Sequence, residues 1–513
     1  MRAWILLLLV VPLGAAQGHD HGDGSGYVIA SDLGPDGFAY VGSPAHFELI
    51  AFGDDHVPDF HVDLPVRVTL DGQLLYETTT TSGHDYDGVH GFDVVFPRAG
   101  TWEVSILADG EPVATRTGQA VDVPRSGWAG STMAGGPSIG VDGFDFVIDT
   151  KNGPGRANHT DLLLEVFQDN RAVFRTHLHI HDEAARFTYR HDLGTPASVQ
   201  VTRYTAFPQP DVAPLMPGST VLPIPANVPL PMPTVPSPEL PADKNAVVTT
   251  SGTYDLVGTF DPFTQVGPDT LQHLNVLVLD PETGEPVQHV DFEATLTGPP
   301  GLIFQSSSLH EYDGIYTLET RQRLPGQYHL DVTAKRGGWS DDIRLTYYVL
   351  PPVMATLAGP QTVALSQDTF TTGQATPFSW NIADLAGRPF AHGEVDLRIV
   401  KPGDPDRLIS PQVYIRDKIH THANGNFDIT YAFPEAGDWP LLTDPFPLDP
   451  QPVGPFTYNT LQLAAGYVVS VTGDAPETAP VEASEPTAPG NDAPVPVALL
   501  LVGLAIALRA RQR

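Results

Sequence analysis

The chain contains no cysteine. Disulfides, thiolate metal sites, cysteine nucleophiles and a bacterial lipoprotein anchor are therefore excluded, and an exported protein of this kind must rely on its cores. Lysine is scarce, five among 27 basic residues, against 61 acidic ones. The formal net charge of −34 repels nucleic acid, which needs basic patches. It suits solubility in a saline setting, where salt screens the self-repulsion. Catalytic signatures are missing too. There is no Gly-x-Ser-x-Gly, no His-Glu-x-x-His and no phosphate loop, and the Gly-rich run Gly130 to Gly140 lacks a strand–helix setting.

No long segment of helical periodicity lies between the two ends of the chain. Alternating runs dominate instead, among them Val62 to Leu70, Leu162 to Phe167, Leu274 to Leu279 and Val395 to Val400, each bounded by Gly, Pro, Asp or Asn. With 48 Gly, 51 Pro and 41% apolar residues, this predicts short strands joined by many turns, as in antiparallel sandwiches. The strands group into four units at 27–124, 127–206, 248–352 and 353–474. A Pro-rich linker at 207–247, extended and semi-rigid, is expected to divide the units into two sequential pairs.

One stretch recurs in every unit. His84-Asp-Tyr-Asp-Gly88 leads into Phe92, Val94 and Phe96, then Pro97, Gly100 and Trp102. Relatives run from His310 to Val332 and from His420 to Trp439, with a degenerate copy from His177 to Val201. Such repetition marks a tandem array. The Asp87-Gly88 entry and the corners Phe96-Pro97/Gly100/Trp102, Pro325-Gly326/Tyr328 and Phe433-Pro434/Gly437/Trp439 resemble the YtkA/FixH-like branch of immunoglobulin-type domains. The resemblance implies extracytoplasmic accessory domains, linked in some relatives to copper handling, and no enzyme.

The ends carry targeting signals. Met1-Arg2, an apolar run from Trp4 to Leu13 and Gly14-Ala-Ala16 read as a signal peptide at 1–16, followed by a His/Asp/Gly-rich tether at 17–26. A Pro/Glu/Thr-rich stalk at 475–492 cannot build a core. It precedes an apolar membrane or sorting segment at 493–508 and a basic tail at 509–513. The layout resembles C-terminal sorting signals of prokaryotic surface proteins, the archaeosortase type above all, and implies an archaeal-type surface protein. The expected location is the outer face of the cell membrane, anchored by one pass with the N-terminus outside.

Nineteen histidines repeat in placement. A His precedes an acid by two positions at a strand start in His61/Asp63, His159/Asp161, His289/Asp291 and His392/Glu394. Strand alternation turns these away from the apolar face of Val62, Leu64, Val66 and Val68. A second His stands before a later strand: His84, one of His177, His179 and His181, then His310, then His420 or His422. His46 and His273 add a third in two units. Two readings apply. Three imidazoles from neighbouring strands suit zinc or copper, with Asp63 or Asp291 as fourth or outer ligand; alternatively each His–Asp pair holds a turn and was copied with its repeat. A shared metal would bring ring nitrogens of His46, His61 and His84 within about 4 Å. His177-Leu-His-Ile-His181 would place three rings on one strand face. Cleavage after Ala16 would put His19 third from a free amine, a square-planar copper motif. The sequon Asn158-His-Thr160 would argue against His159 if glycosylated.

The sequence thus predicts an all-β chain of four tandem immunoglobulin-like β-sandwich domains between a signal peptide and a C-terminal membrane helix. Its expected role is non-catalytic binding or structural display at the cell surface. The alternative is a copper- or zinc-binding accessory protein. The expected partners are the cell membrane through the C-terminal segment and other surface proteins or glycans, with no nucleic acid.

Overall fold

Alternation and turn chemistry set the local structure. In the first unit the strands Val66–Leu70 and Gln73–Thr78 are joined by Asp71-Gly72, and Gly100–Ala108 and Glu111–Val121 by Asp109-Gly110. All four turn residues are left-handed, with φ of 51°, 71°, 52° and 83°, the two-residue hairpin geometry for which Asp-Gly is suited. Inward residues fill the core: Phe92, Val94, Phe96, Trp102, Val104 and Ile106 belong to one buried cluster. At the repeated corner of the third and fourth units the aromatic ring caps a nearby carbonyl. Tyr328 Oη donates to Leu324 O at 2.7 Å and Trp439 Nε1 to Glu435 O at 3.0 Å.

The computed structural model describes most of residues 26–122, 138–224, 246–350 and 361–473. Breaks within these are 34–36, 43, 54–56, 80–81, 143–144, 150–159, 169–170, 181–183, 191–196, 207–217, 268–269, 385–388, 390–392, 403–412, 422–424 and 448–464. The expected signal peptide, tether, stalk, membrane segment and basic tail all lie outside the described residues. Among the described residues the regular structure is all strand, and no helix is long and apolar enough to cross a membrane.

Each unit has an immunoglobulin-type strand order. In the first, Gly26–Ser31, Pro44–Phe52 and Val89–Val95 form one layer. Phe38–Tyr40, Glu111–Val121, Gly100–Ala108, Val66–Leu70 and Gln73–Thr78 form the other. The third and fourth units repeat this order, the third with Ala246–Thr250 added at its outer edge. The second ends with Gly218–Ile224, which pairs antiparallel with Ala197–Ala206. This corrects the boundary: that strand lies inside the stretch read as the linker 207–247, so sandwich 2 runs past 206. Thr220, Val221 and Leu222 favour a pleated edge, and the surrounding prolines masked that signal.

The pairing of units is the larger correction. They do not pair in sequence order, first with second and third with fourth. Sandwich 1 joins sandwich 4, and sandwich 2 joins sandwich 3. Gln73–Thr78 pairs with Asn426–Tyr431, and Val89–Val95 with Val413–Thr421. Arg171–Ile180 pairs with Ile315–Arg321, and Ala184–Tyr189 with Gly301–Glu311. Each pair is thus a double sandwich of two eight-stranded sheets. The joined strands are those a lone sandwich would leave as open edges, with unpaired N–H and C=O groups.

One sheet of each double sandwich faces one sheet of the other. On Pro44–Phe52, Phe47 and Leu49 fill the sandwich core while Ile50 and Phe52 point out. They meet Val257, Leu277, Leu279 and Ile315 of sandwich 3 in a separate apolar cluster. Strand register makes the two pairs equivalent copies. His46 opposes Asp93 as His273 opposes Glu319, and Phe52 and Leu279 take the same place. The fold is an internal dimer of double sandwiches.

Candidate metal centres and the charged layer between them

Two histidine clusters occupy equivalent places in the two double sandwiches. In the first, His61 precedes the short strand Val62–Asp63, His84 begins the strand His84–Asp85 that pairs with it, and His420 comes from Val413–Thr421 of sandwich 4. Ring centroids of His61 and His84 are 5.8 Å apart, and those of His84 and His420 5.0 Å. Tyr86 touches all three rings, at 4.7, 5.2 and 5.5 Å. In the second cluster His289 and His310 are 5.7 Å apart and His310 and His179, from sandwich 2, are 5.0 Å apart. Tyr312 lies at 5.3, 4.8 and 5.5 Å from these rings.

A carboxylate orients one ring in each cluster. Asp63 Oδ1 lies 2.9 Å from His84 Nδ1, and Asp291 Oδ1 lies 2.7 Å from His310 Nδ1. A proton held on Nδ1 leaves the lone pair on Nε2, the arrangement by which outer carboxylates prepare metal-ligating imidazoles. His61 and His289 are exposed and left-handed, with φ of 54° and 60°, a strained choice for residues with a Cβ. Partial desolvation by its neighbours first, and then the charge of His84, hold the His61 imidazole below its usual range, toward the neutral form that ligates. The local backbone depends on glycine. A Cβ on Gly88 would stand 2.2 Å from Asp59 O, and one on Gly314 2.1 Å from Val287 O. Each Asp-Gly turn therefore lets the chain segment before His61 or His289 pass close by.

His46 and His273 do not join these clusters, contrary to the expected sets of three within one unit. Strand alternation aims both into the layer between the facing sheets. His46 Nδ1 is 2.7 Å from Asp93 Oδ1 and its Nε2 2.9 Å from Glu48 Oε1. Burial opposes protonation, but the two carboxylates prevail and raise its pKa to about 10. Such a doubly charged-paired ring is a cation, not a ligand. His273 Nδ1 sits 4.0 Å from Glu319 Oε1. His177 packs edge-on against His46 at 5.0 Å. Burial, with the positive charges of His46 and Arg175, holds it well below the imidazole range. On the same strand His179 packs against His310 and Tyr312 instead, so the two rings have different neighbours. His19, His159, His181, His392 and His422 lie outside the described residues.

The same layer contains a network that sequence reading missed. Arg175 donates to Glu319 at 2.9 Å and to Asp93. Arg416 grips Glu319 with two bonds, 2.7 and 2.6 Å, and reaches Asp396 at 3.0 Å. Lys418 places its ammonium 3.0 Å from Asp85 and in contact with Asp261. Asp87 accepts from Thr259 at 2.5 Å and Asn275 at 2.9 Å. On the opposite, core-facing side of the Val413–Thr421 strand, Asp417 accepts from Tyr76 at 2.5 Å and lies 2.8 Å from His90 Nε2. The available signal was Ile415-Arg-Asp-Lys-Ile419, where charges occupy both faces of a strand flanked by core isoleucines. Two sets of ligating atoms here lie mutually within 4.8 Å: Asp85–Asp87–Asp261 and Asp32–His177–Glu311.

No known protein family matches the chain, and no curated protein does. Among solved structures, an elastase-activated Escherichia coli α2-macroglobulin aligns over 87% of this chain and 53% of its own, at 9% identity and a TM-score of 0.18. The E. coli adhesin FdeC aligns over 88% of this chain and 98% of its own, at 12% identity and 0.16. The D00–D0 domain of intimin covers 41% of this chain, at 11% identity and 0.16. The chain spans about half the length of the first macroglobulin and 40% of a Salmonella one. The immunoglobulin-type character of the units lies in their strand order.

Proposed function

We propose that this chain is a non-catalytic, extracytoplasmic metal-binding protein with two equivalent transition-metal sites. His61, His84 and His420 would hold one ion, with Asp63 behind His84. His289, His310 and His179 would hold the other, with Asp291 behind His310. The observation that carries this reading is the duplicate geometry: ring spacings of 5.8 and 5.0 Å in one cluster and 5.7 and 5.0 Å in the other. Imidazoles bound tetrahedrally through bonds of about 2.0–2.1 Å have centroids about 5 Å apart. The central ring of each cluster has this spacing to both outer rings, and the outer rings would turn inward on binding, since neither trio's nitrogens lie mutually within 4.8 Å. Three imidazoles with a borderline cation fit zinc or copper(II).

The display reading has less support. A tandem array made for reach would keep each sandwich in contact with its sequence neighbours alone, whereas here the first pairs with the fourth. The outward signals of the sequence (leader, stalk, apolar segment) support a location at the membrane's outer face, and the net charge supports the absence of nucleic-acid partners.

Metal content of the full chain tests the proposal. After chelation and re-equilibration with micromolar zinc or copper, wild type is expected to hold two ions more than the double variant His84→Ala/His310→Ala. Each single variant should lose one. Equal metal content in wild type and a folded double variant would remove this function.

A further inference from the structure

The two double sandwiches are equivalent, so each position in one has a counterpart whose chemistry can be compared. Asp85 corresponds to Glu311, as His84 does to His310. Asp261 opposes His273 in its sheet, and Asp32 N bonds to His46 O at the matching place; Asp261 therefore corresponds to Asp32. Lys418 lies two residues before His420, and His177 two before His179, so these also correspond.

In one copy the acid pair is neutralised from within the chain. Lys418 Nζ stands 3.0 Å from Asp85 Oδ2 and touches Asp261. Those two residues with Asp87 keep their carboxylate oxygens within 4.8 Å of each other. In the other copy the acid pair is again gathered, Asp32 with Glu311, and the lysine's place is taken by an imidazole. One atom each from Asp32, Glu311 and His177 lie mutually within 4.8 Å. His177 Nδ1 is 3.8 Å from Asp32 Oδ2. Surrounding groups are Asp313 and Glu48, both acidic, with His46 and Arg116 as cations.

From this internal comparison we infer that Asp32, His177 and Glu311 form a divalent-cation site, in which the ion does what the Lys418 ammonium does in the opposite copy. A shorter, ring-bearing side chain in place of lysine withdraws the tethered charge and supplies a nitrogen donor instead. Two carboxylates and one imidazole suit zinc or manganese(II), which accept mixed oxygen and nitrogen ligands. Its ligands come from sandwiches 1, 2 and 3, so the ion would fasten one double sandwich to the other. This site is separate from the tri-histidine clusters and stands whether or not they bind metal.

The test compares zinc stoichiometry of the full chain, by elemental analysis after chelation and re-equilibration, between wild type and His177→Lys. The lysine variant is expected to hold one ion fewer and to keep its thermal midpoint in chelator, since it restores the tethered charge. Lys418→His is expected to gain one ion. If His177→Lys fails to fold, Asp32→Asn and His177→Gln serve in its place, each expected to lose one ion and the zinc-dependent rise in thermal midpoint. Unchanged stoichiometry in any folded variant of the three ligands overturns the inference. Loss of two ions in His84→Ala/His310→Ala has no bearing on it, so the two proposals fail independently.

Discussion

His61 and His289 share one unusual backbone state, φ 54° and 60°, at equivalent places in sandwiches 1 and 3. A left-handed residue with a Cβ costs on the order of 1–2 kcal/mol, and the same cost recurs in both copies. Glycine relieves it. His61→Gly is therefore expected to keep or raise the thermal midpoint of the metal-free chain while removing one bound ion. A marked fall in midpoint would mean that His61 serves the turn and not a ligand.

Gly88 and Gly314 make the close approach possible. Each has positive φ and a carbonyl oxygen where a side chain would begin. Alanine at either position should destabilise by more than about 1 kcal/mol, read as a lower urea midpoint. It should also displace the segment leading to His61 or His289, so metal loss is expected at that cluster alone. Unaltered stability and metal content in Gly88→Ala would contradict the geometry.

Glu319 holds two buried guanidinium groups, Arg175 and Arg416. Breaking a buried ion pair from one side leaves uncompensated charge and costs about 3–5 kcal/mol. Glu319→Ala is expected to fall in that range. Arg67→Ala, which breaks a half-exposed pair with Glu77, should cost at most about 1 kcal/mol. Comparable losses for the two substitutions, measured by chemical denaturation, would show that the layer is hydrated in solution.

Stability should fall at alkaline pH. An imidazole in the unfolded chain releases its proton near pH 6.5, whereas His46 and His90 hold theirs to about 10 in the fold. The folded state binds more protons in that interval. The stabilisation is thus complete below pH 6.5 and is lost as pH rises toward 10. Each shift corresponds to on the order of 4–5 kcal/mol. Asp313, pushed up to about 8 by burial and then by Asp32 and Glu48, acts in the same direction. Its proton is kept in the fold after the unfolded carboxyl has lost it. The thermal midpoint is expected to drop between pH 7 and 10, and His46→Gln should flatten that slope. A level profile across this range would contradict the charge assignment of both histidines.

Much of the fold was legible because strand chemistry is local. The alternation from Phe92 to Phe96, the Asp71-Gly72 and Asp109-Gly110 hairpins and the corner ending at Trp102 each follow from a few adjacent residues. The histidines His61, His84, His289 and His310 were visible as repeated positions beside Asp63 and Asp291. Their partners were not. His420 and His179 arrive from other sandwiches, along seams whose register depends on Val94 meeting Ile415 and Phe174 meeting Thr320. His46 was misplaced for a similar reason: its spacing to His61 is regular, but its strand turns it to the opposite side. Lys418 and Asp261, 157 residues apart, leave no local mark of their contact.

The crosswise joining of sandwiches also imposes an order in time. Sandwiches 2 and 3 are neighbours along the chain and can close their seams as soon as both exist. Sandwich 1 cannot, because Val89–Val95 must await Val413–Thr421. The interval from residue 95 to residue 413 is 318 residues, roughly 15–65 s of synthesis at about 5–20 residues per second. Throughout that time the nascent protein carries an open strand edge able to capture another chain. Val89–Val95 bears Asp93 on this edge and Gln73–Thr78 bears Glu77, two charges that discourage such capture until the proper partner emerges.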